Sequence, residues 1–297
     1  MGKYSDHPLA GARDLDSAIN LFWNFYRKNF VVLFIISLAS ALTSTIITSN
    51  LDLSKLQSTT NMDEMLSIYT SMAGPILGLL AVSLLFSVFL TVFVIEKTEG
   101  EPFNVGDYLK KSVTVILPYI AALIFLAIPG VLLVSLGMFA LVLPGIFAAF
   151  YVFTIGLFIL PVMVIEGTNP INALARSLSL TNKRFWQNIG WVVIVLLLLL
   201  IMSFVASALI KLPFTGTFIK TLSEPGVSNE IAKNPLFIGL TSIVDALVTP
   251  VYPILAGILY FSNAEEIKSG TSVSEEENRV RVEDLYPKMP DQTEEQK

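Results

Sequence analysis

The chain has no cysteine, a single histidine and few charges, with only 14% of its 297 residues being Asp, Glu, Lys or Arg. Without cysteine there is no disulfide, no thiolate metal site and no thiol nucleophile, and nothing follows about redox compartment. The one histidine, His7, lies in a short polar stretch ahead of the first apolar segment. It reads as a solvated residue, and one histidine supplies no pair for acid–base or metal chemistry. A Gly-rich phosphate loop, a G-x-S-x-G serine elbow and an HExxH pair are missing too. No catalytic, cofactor-binding or metal-ligating residue is therefore expected, and the pattern speaks against an enzyme.

What the chain has in excess is apolar mass. Hydrophobic residues make up 54% and the mean hydropathy is +0.69, above the roughly 45 to 50% apolar share of soluble domains. The solvent is lipid. A net charge of −5 is a weak guide where most of the chain is embedded, and nothing suggests nucleic acid as a partner. The expected fold is all-α: a polytopic membrane protein of six transmembrane helices, arranged as three hairpins joined by interfacial amphipathic elbow helices. A crossing helix needs about 20 apolar residues, and six stretches qualify, at about 30–48, 73–95, 112–136, 140–165, 189–210 and 240–261.

Residues 112–165 carry no charge over 54 positions, too long for one span and right for two. Pro129-Gly130 and Pro144-Gly145 flank Gly137, so either two helices run to a tight turn at Gly137 or residues 131–143 form a shallow re-entrant piece; the turn is the preferred reading. Residues 49–71 and 211–235 read as polar loops. Residues 1–14 form a polar tail that lacks the charged-then-apolar layout of a cleavable signal, and 263–297 reads as a disordered tail. Fifteen of the 19 Lys and Arg residues fall in segments 1–28, 96–111, 166–187 and 263–297, which predicts both termini on the cytoplasmic side.

The chain also repeats a phrase. Val94-Ile95-Glu96-Lys97-Thr98, followed by Pro102-Phe103-Asn104, returns as Val164-Ile165-Glu166-Gly167-Thr168, followed by Pro170-Ile171-Asn172. Each copy ends one apolar segment and opens an amphipathic elbow. Asn169-Pro170 is a strong helix start, because Asn caps free amides and Pro has no amide to lose. The elbow helix is expected to reach Thr181, with Ile171, Leu174, Leu178 and Phe185 on its apolar side and Asn172, Arg176, Ser179 and Lys183 toward water. Residues 15–30 have the same character. Ala18 through Phe30 can be laid on Ala173 through Phe185 without a gap, and Trp23, Tyr26, Arg27 and Lys28 suit a lipid headgroup layer.

Val142-Leu143-Pro144-Gly145, then Pro161, Ile165-Glu166-Gly167, Ala173-Leu174-Ala175-Arg176-Ser177 and Phe185-Trp186, resemble the membrane-domain group of the glycerophosphoryl diester phosphodiesterases and related bacterial six-helix families. The likeness spans most of residues 15–270. Leu178 and Tyr260-Phe261-Ser262-Asn263 depart from the family pattern, as in a divergent member. The resemblance implies a multi-pass protein of the bacterial plasma (inner) membrane. It does not imply the hydrolase, which needs a separate soluble domain that 263–297 is too short to hold.

Five polar residues stand out: Asp245, the ionisable residue well inside an apolar segment; Glu96 and Glu166, each where a span ends and the helix dipole disfavours an acid; and the elbow cations Arg176 and Lys183. Glu96 is expected to pair with Lys110 or Lys111, and Glu166 with Arg176 or Lys183. Asp245 lies either near mid-membrane or one turn inside the outer interface, the second being cheaper. Small-residue rows, Gly74 and Gly78 with Ser83, Ser87 and Thr91, and Ser37, Ser40, Ala41 and Ser44, read as helix-packing faces. Two functions compete. The preferred one is a non-enzymatic scaffold or accessory subunit, contacting membrane lipids and, at its cytoplasmic elbows and tail, protein partners. The alternative is a transporter or lipid-handling protein with a path through the bundle.

Overall fold

The computed structural model describes residues 7–49, 51, 61–97, 104–216 and 233–277, with side chains up to Ala264. Among these the protein is all helix: α1 (Leu15–Lys28), α2 (Phe30–Ser49), α3 (Met62–Glu96), α4 (Val105–Ala140), α5 (Val142–Glu166), α6 (Pro170–Lys183), α7 (Phe185–Lys211), α8 (Pro235–Val248) and α9 (Val251–Glu277). Six stretches are long and apolar enough to cross a membrane, α8 and the first half of α9 forming the sixth together. Thr98, Pro102 and Phe103 of the first elbow phrase lie outside the described residues. So does the tail from Asn278 onward.

The two end elbows share a frame. α1 and α6 are both 14 residues long; Asp14 and Asn169 cap them by accepting the Ser17 and Asn172 amides, and the chain then breaks at Asn29 and Arg184 before α2 and α7. The break at Asn29 and Arg184 falls at superposed positions of the gap-free alignment, and the two caps fall at matching positions when the same offset is extended back to Asp14 and Asn169. At the middle elbow Asn104 caps α4, accepting the Gly106 amide, but the helix runs on into its span without a break. No Gly, Pro or Asn stands at Leu109-Lys110-Lys111-Ser112 to interrupt it. On α6 the buried stripe is Ala173, Ser177, Leu180 and Thr181, whereas Ile171 points outward. Small residues let the elbow sit close on the bundle, and their hydroxyls are satisfied on the turn before, Ser177 on the Ala173 carbonyl and Thr181 on that of Ser177.

The tightly packed core lies at the elbow end. Val92 to Ile95 of α3, Ile155 to Val164 of α5, and Ile254 to Asn263 of α9 meet there, with Leu180, Trp191 and Val192 beside them. At the far end the helices stand apart, and Phe139 is 94% exposed. In lipid, apolar burial adds little by itself, because acyl chains are as apolar as leucine. Close packing and interhelical polar contacts must hold the elbow end.

Several sequence expectations change. Residues 62–71, expected in a polar loop, belong to α3, which Asn61 caps. The hairpin turn falls at Leu141, four residues past Gly137; helix α4 continues through Pro129-Gly130, so residues 131–143 are not re-entrant. Among the described residues Gly74 and Gly78 pack against nothing: a methyl on either would meet no atom within 4 Å. The contact expected of them is made by Gly137 and Gly145, where α4 and α5 nearly touch. The sixth span is broken at Thr249-Pro250, because Pro250 has no amide to give. The tail expected to be disordered from 263 begins as helix, to Glu277.

His7 is the clearest reversal. It is 3% exposed, not solvated, stacked on Phe261 with ring centroids 4.3 Å apart and on Phe25 at 6.4 Å. Its Nδ1 accepts the Leu9 amide at 3.1 Å. Nε2 faces the last carbonyls of α3, at Val94 and Ile95, without closing a well-formed hydrogen bond. Burial lowers the imidazole pKa from 6.5 to about 4, against the pull of those carbonyls and Glu96. Leu9, fully buried, follows His7 into the gap beside Gly257.

Candidate functional site

Beyond the packed elbow end the helices border an open cleft of about 940 Å³, large enough for a ligand by the usual range of ~300 to 1,000 Å³. It draws on every span. Ser40, Ala41 and Ser44 come from α2, Ser83 and Ser87 from α3, Tyr119 and Leu126 from α4, Phe153 and Gly156 from α5, and Ser203 from α7. The broken sixth span supplies Asp245, Val248, Thr249, Tyr252 and Pro253.

The cleft gives the serine rows a different meaning. Several hydroxyls elsewhere in the spans bond back to the preceding turn, Thr43 to the Ala39 carbonyl, Thr91 to that of Ser87, and Thr154 to that of Phe150, while Ser37 and Thr241 are packed away without a partner among the described residues. Among the described residues Ser40, Ser44, Ser83 and Ser87 make no such bond and line open space instead. A row of small residues reads the same in sequence whether it faces a helix or a void. The period of four was visible; its meaning needed the neighbours.

Asp245 shares this space with Ser40 and Ser44, halfway along α2, and with Phe153 and Gly156, halfway along α5. Among the lining residues it alone carries a formal charge, and among the described residues its carboxylate has no hydrogen-bond or ion-pair partner. Four residues on, the helix ends. The Thr249 amide and hydroxyl both return to the Asp245 carbonyl, at 2.9 and 2.7 Å. Because residue 250 is proline, the Ala246 carbonyl lacks its usual donor. The Leu247 carbonyl accepts instead from Tyr26 Oη of α1, at 3.1 Å.

The other singled-out residues sit at the elbows, away from the cleft. Glu96 pairs with Lys111, and Glu166 with Arg176, whose Nε donates to Oε1 at 3.1 Å. Tyr260 of α9 donates to the same oxygen at 3.0 Å. Each acid thus finds a cation just after a helix end that disfavours it. Lys183 donates to the Asn263 carbonyl at 3.3 Å. Sequence reasoning missed the pair behind it: Asn188 and Asn263, buried together, bond across from α7 to α9. The structure therefore separates the five residues into elbow clasps and one cleft residue, Asp245. No protein family, curated protein or solved structure matches the chain.

Proposed function

We propose that this protein is a non-enzymatic integral membrane protein that admits a small amphipathic ligand to the cleft, as a transporter or lipid-handling protein. The observation that carries this reading is the cleft itself, with Asp245 and four serines that do not satisfy themselves on their own helices. It favours the second of the two functions drawn from sequence. A scaffold would use the elbows, where Ile171 and Trp186 are exposed, yet an exposed aromatic and aliphatic pair serves equally well as a headgroup-layer anchor. Among the described residues no His, Cys or Lys lines the cleft to activate a serine, which supports a binding role over catalysis.

The 15 basic residues gathered on the elbow and terminal segments support a bacterial plasma membrane setting with both termini cytoplasmic. The Pro-Gly and Ile-Glu-Gly elements support divergent membership of the phosphodiesterase membrane-domain group, and the matched frames of α1 and α6 support an internal repeat.

The natural absence of cysteine makes the test clean. Ser40→Cys, Ser87→Cys and Thr91→Cys variants are placed in sealed vesicles and exposed to a water-soluble thiol reagent that attacks only the thiolate, a species that needs water. Cysteines at 40 and 87 should react faster than one at 91, which is buried. If 40 and 87 both stay inert, the cleft is not open to solutes and the reading fails.

A further inference from the structure

Building on the reading of the cleft as a ligand site, we infer that its ligand is a cationic amphiphile: an alkyl chain bearing an ammonium group, free or as a lipid headgroup amine, with the ammonium held at Asp245.

Three independent features of the wall have the same sign. Among the described residues Asp245 is the single charge lining the cleft, and no Lys or Arg lines it in compensation. An ionised acid at the centre of a span costs ~2.5 to 3.5 kcal/mol on insertion scales, and a positive ligand removes that cost where a neutral or anionic one does not. The second feature is backbone. Helix α8 ends at Val248 with Thr249 as its cap, and both residues line the cleft. A helix C-terminus carries partial negative charge. Broken helices whose carboxyl ends face a cavity are suited to holding cations. The third feature is aromatic. Tyr119, Phe153 and Tyr252 line the same space, the last two edge to face at 6.4 Å, and ring faces attract ammonium groups.

The remaining groups fit the rest of such a ligand. An ammonium brings three donors and no acceptor; one goes to the carboxylate, and the hydroxyls of Ser40, Ser44, Ser83 and Ser87 are free to accept the others. Leu123, Leu126, Val152 and Leu157 give the alkyl chain an apolar wall. A fatty acid would set its carboxylate against Asp245 and a helix C-terminus. A fatty alcohol would leave the aspartate uncompensated.

The test uses protection of the Ser87→Cys thiol in the full chain, reconstituted into nanodiscs, with dodecylamine, dodecanol and dodecanoate as probes. Dodecylamine should slow modification at concentrations about tenfold below those needed for dodecanol, a 1.4 kcal/mol preference, and dodecanoate should be weakest. In an Asp245→Asn background the amine should fall to the level of the alcohol; an unfolding temperature in mild detergent equal to that of the parent chain shows that this variant is folded. Discs of phosphatidylethanolamine that protect the thiol where phosphatidylglycerol discs do not would place the amine on a lipid, and protection by dodecylamine alone would place it on a free solute. Equal protection by amine and alcohol, or an amine preference that survives Asp245→Asn, overturns the cationic ligand but leaves a ligand site. A thiol that reacts readily and is protected by none of the probes overturns both.

Discussion

Asn188 and Asn263 hold each other across the elbow end: the Asn263 amide donates to Asn188 Oδ1 at 2.9 Å, and the Asn188 amide reaches Asn263 Oδ1 at 3.4 Å. Asn188 also donates to the Leu180 and Thr181 carbonyls, both at 3.1 Å. These carbonyls belong to the last turn of α6 and have no helical partner of their own. One side chain thus closes α6 and ties α7 to α9, while Asn263 secures itself on the Leu259 carbonyl at 2.8 Å.

Both asparagines are 1% exposed or less, so removing either strands buried polar groups at a cost of about 1 to 3 kcal/mol. Asn188→Ala should cost more than Asn263→Ala, because it also strips the two α6 carbonyls. The double variant should cost less than the sum of the singles. Thermal unfolding in a mild detergent reads all three. Equal, additive losses would mean that the two side chains act separately.

The protonation of His7 makes a prediction about pH. In the unfolded chain its pKa is 6.5; in the fold it is lowered to about 4 by burial. The folded state holds the ring neutral, so the unfolded state binds more protons at acid pH. Stability is full above pH 6.5 and is lost as the pH falls toward 4, the loss between pH 6.5 and 5 being about 1.5 kcal/mol. His7→Phe keeps the ring between Phe25 and Phe261 and cannot titrate. The wild type should therefore lose more stability than His7→Phe over that interval, and parallel curves would show that the ring does not stay neutral in the fold.

How much of this was legible follows from how local each signal is. Spans need only a run of apolar residues between charges, and elbows only Asn-Pro and an amphipathic period, so both could be read along the chain. The pairing of Glu96 and Glu166 with nearby cations is almost as local. The burial of His7 depends on Phe261 at the other end of the chain, and Asn188 finds Asn263 at a separation of 75 residues; no periodicity carries such information. The sixth span lies between. Pro250 and Pro253 marked it as loosened, but which of its carbonyls is reclaimed was decided by Tyr26, on a helix read as a separate surface element.

Glu166 has two donors on one oxygen, Arg176 Nε and Tyr260 Oη, and the clasp should be divisible by salt. Tyr260→Phe removes a neutral donor and should cost about 1 kcal/mol at any ionic strength. Arg176→Gln removes a partly exposed ion pair, worth up to about 1 kcal/mol at low salt and less when screened. Unfolding temperatures of the two variants at low and high salt distinguish these terms. A salt-sensitive Tyr260→Phe, or an Arg176→Gln whose cost ignores salt, would contradict this division of the clasp.

The glycines allow a test in which sequence and structure disagree. Gly74 and Gly78 form the motif that usually signals close helix packing, yet a methyl on either meets open space. Gly145 lacks that spacing, and its methyl would lie 2.4 Å from Met138 Cγ and 2.7 Å from the Met138 backbone nitrogen. The side chain could swing aside, but the backbone nitrogen could not without moving α4. Gly137 faces the same crossing, where an added methyl would stand 2.9 Å from the Gly145 Cα and nitrogen. Ala within a helix gains up to about 1 kcal/mol over Gly, whereas overpacking costs about 1 to 3 kcal/mol. At 74 and 78 only the gain operates, so Gly78→Ala should raise the unfolding temperature slightly. At 145 the clash is larger, and Gly145→Ala should lower it, with Gly137→Ala smaller in the same direction. A loss at 78 would mean that this face of α3 is covered by a second protein or a second copy of the chain. A neutral Gly145→Ala would mean that the α4–α5 turn is looser than its backbone contacts indicate.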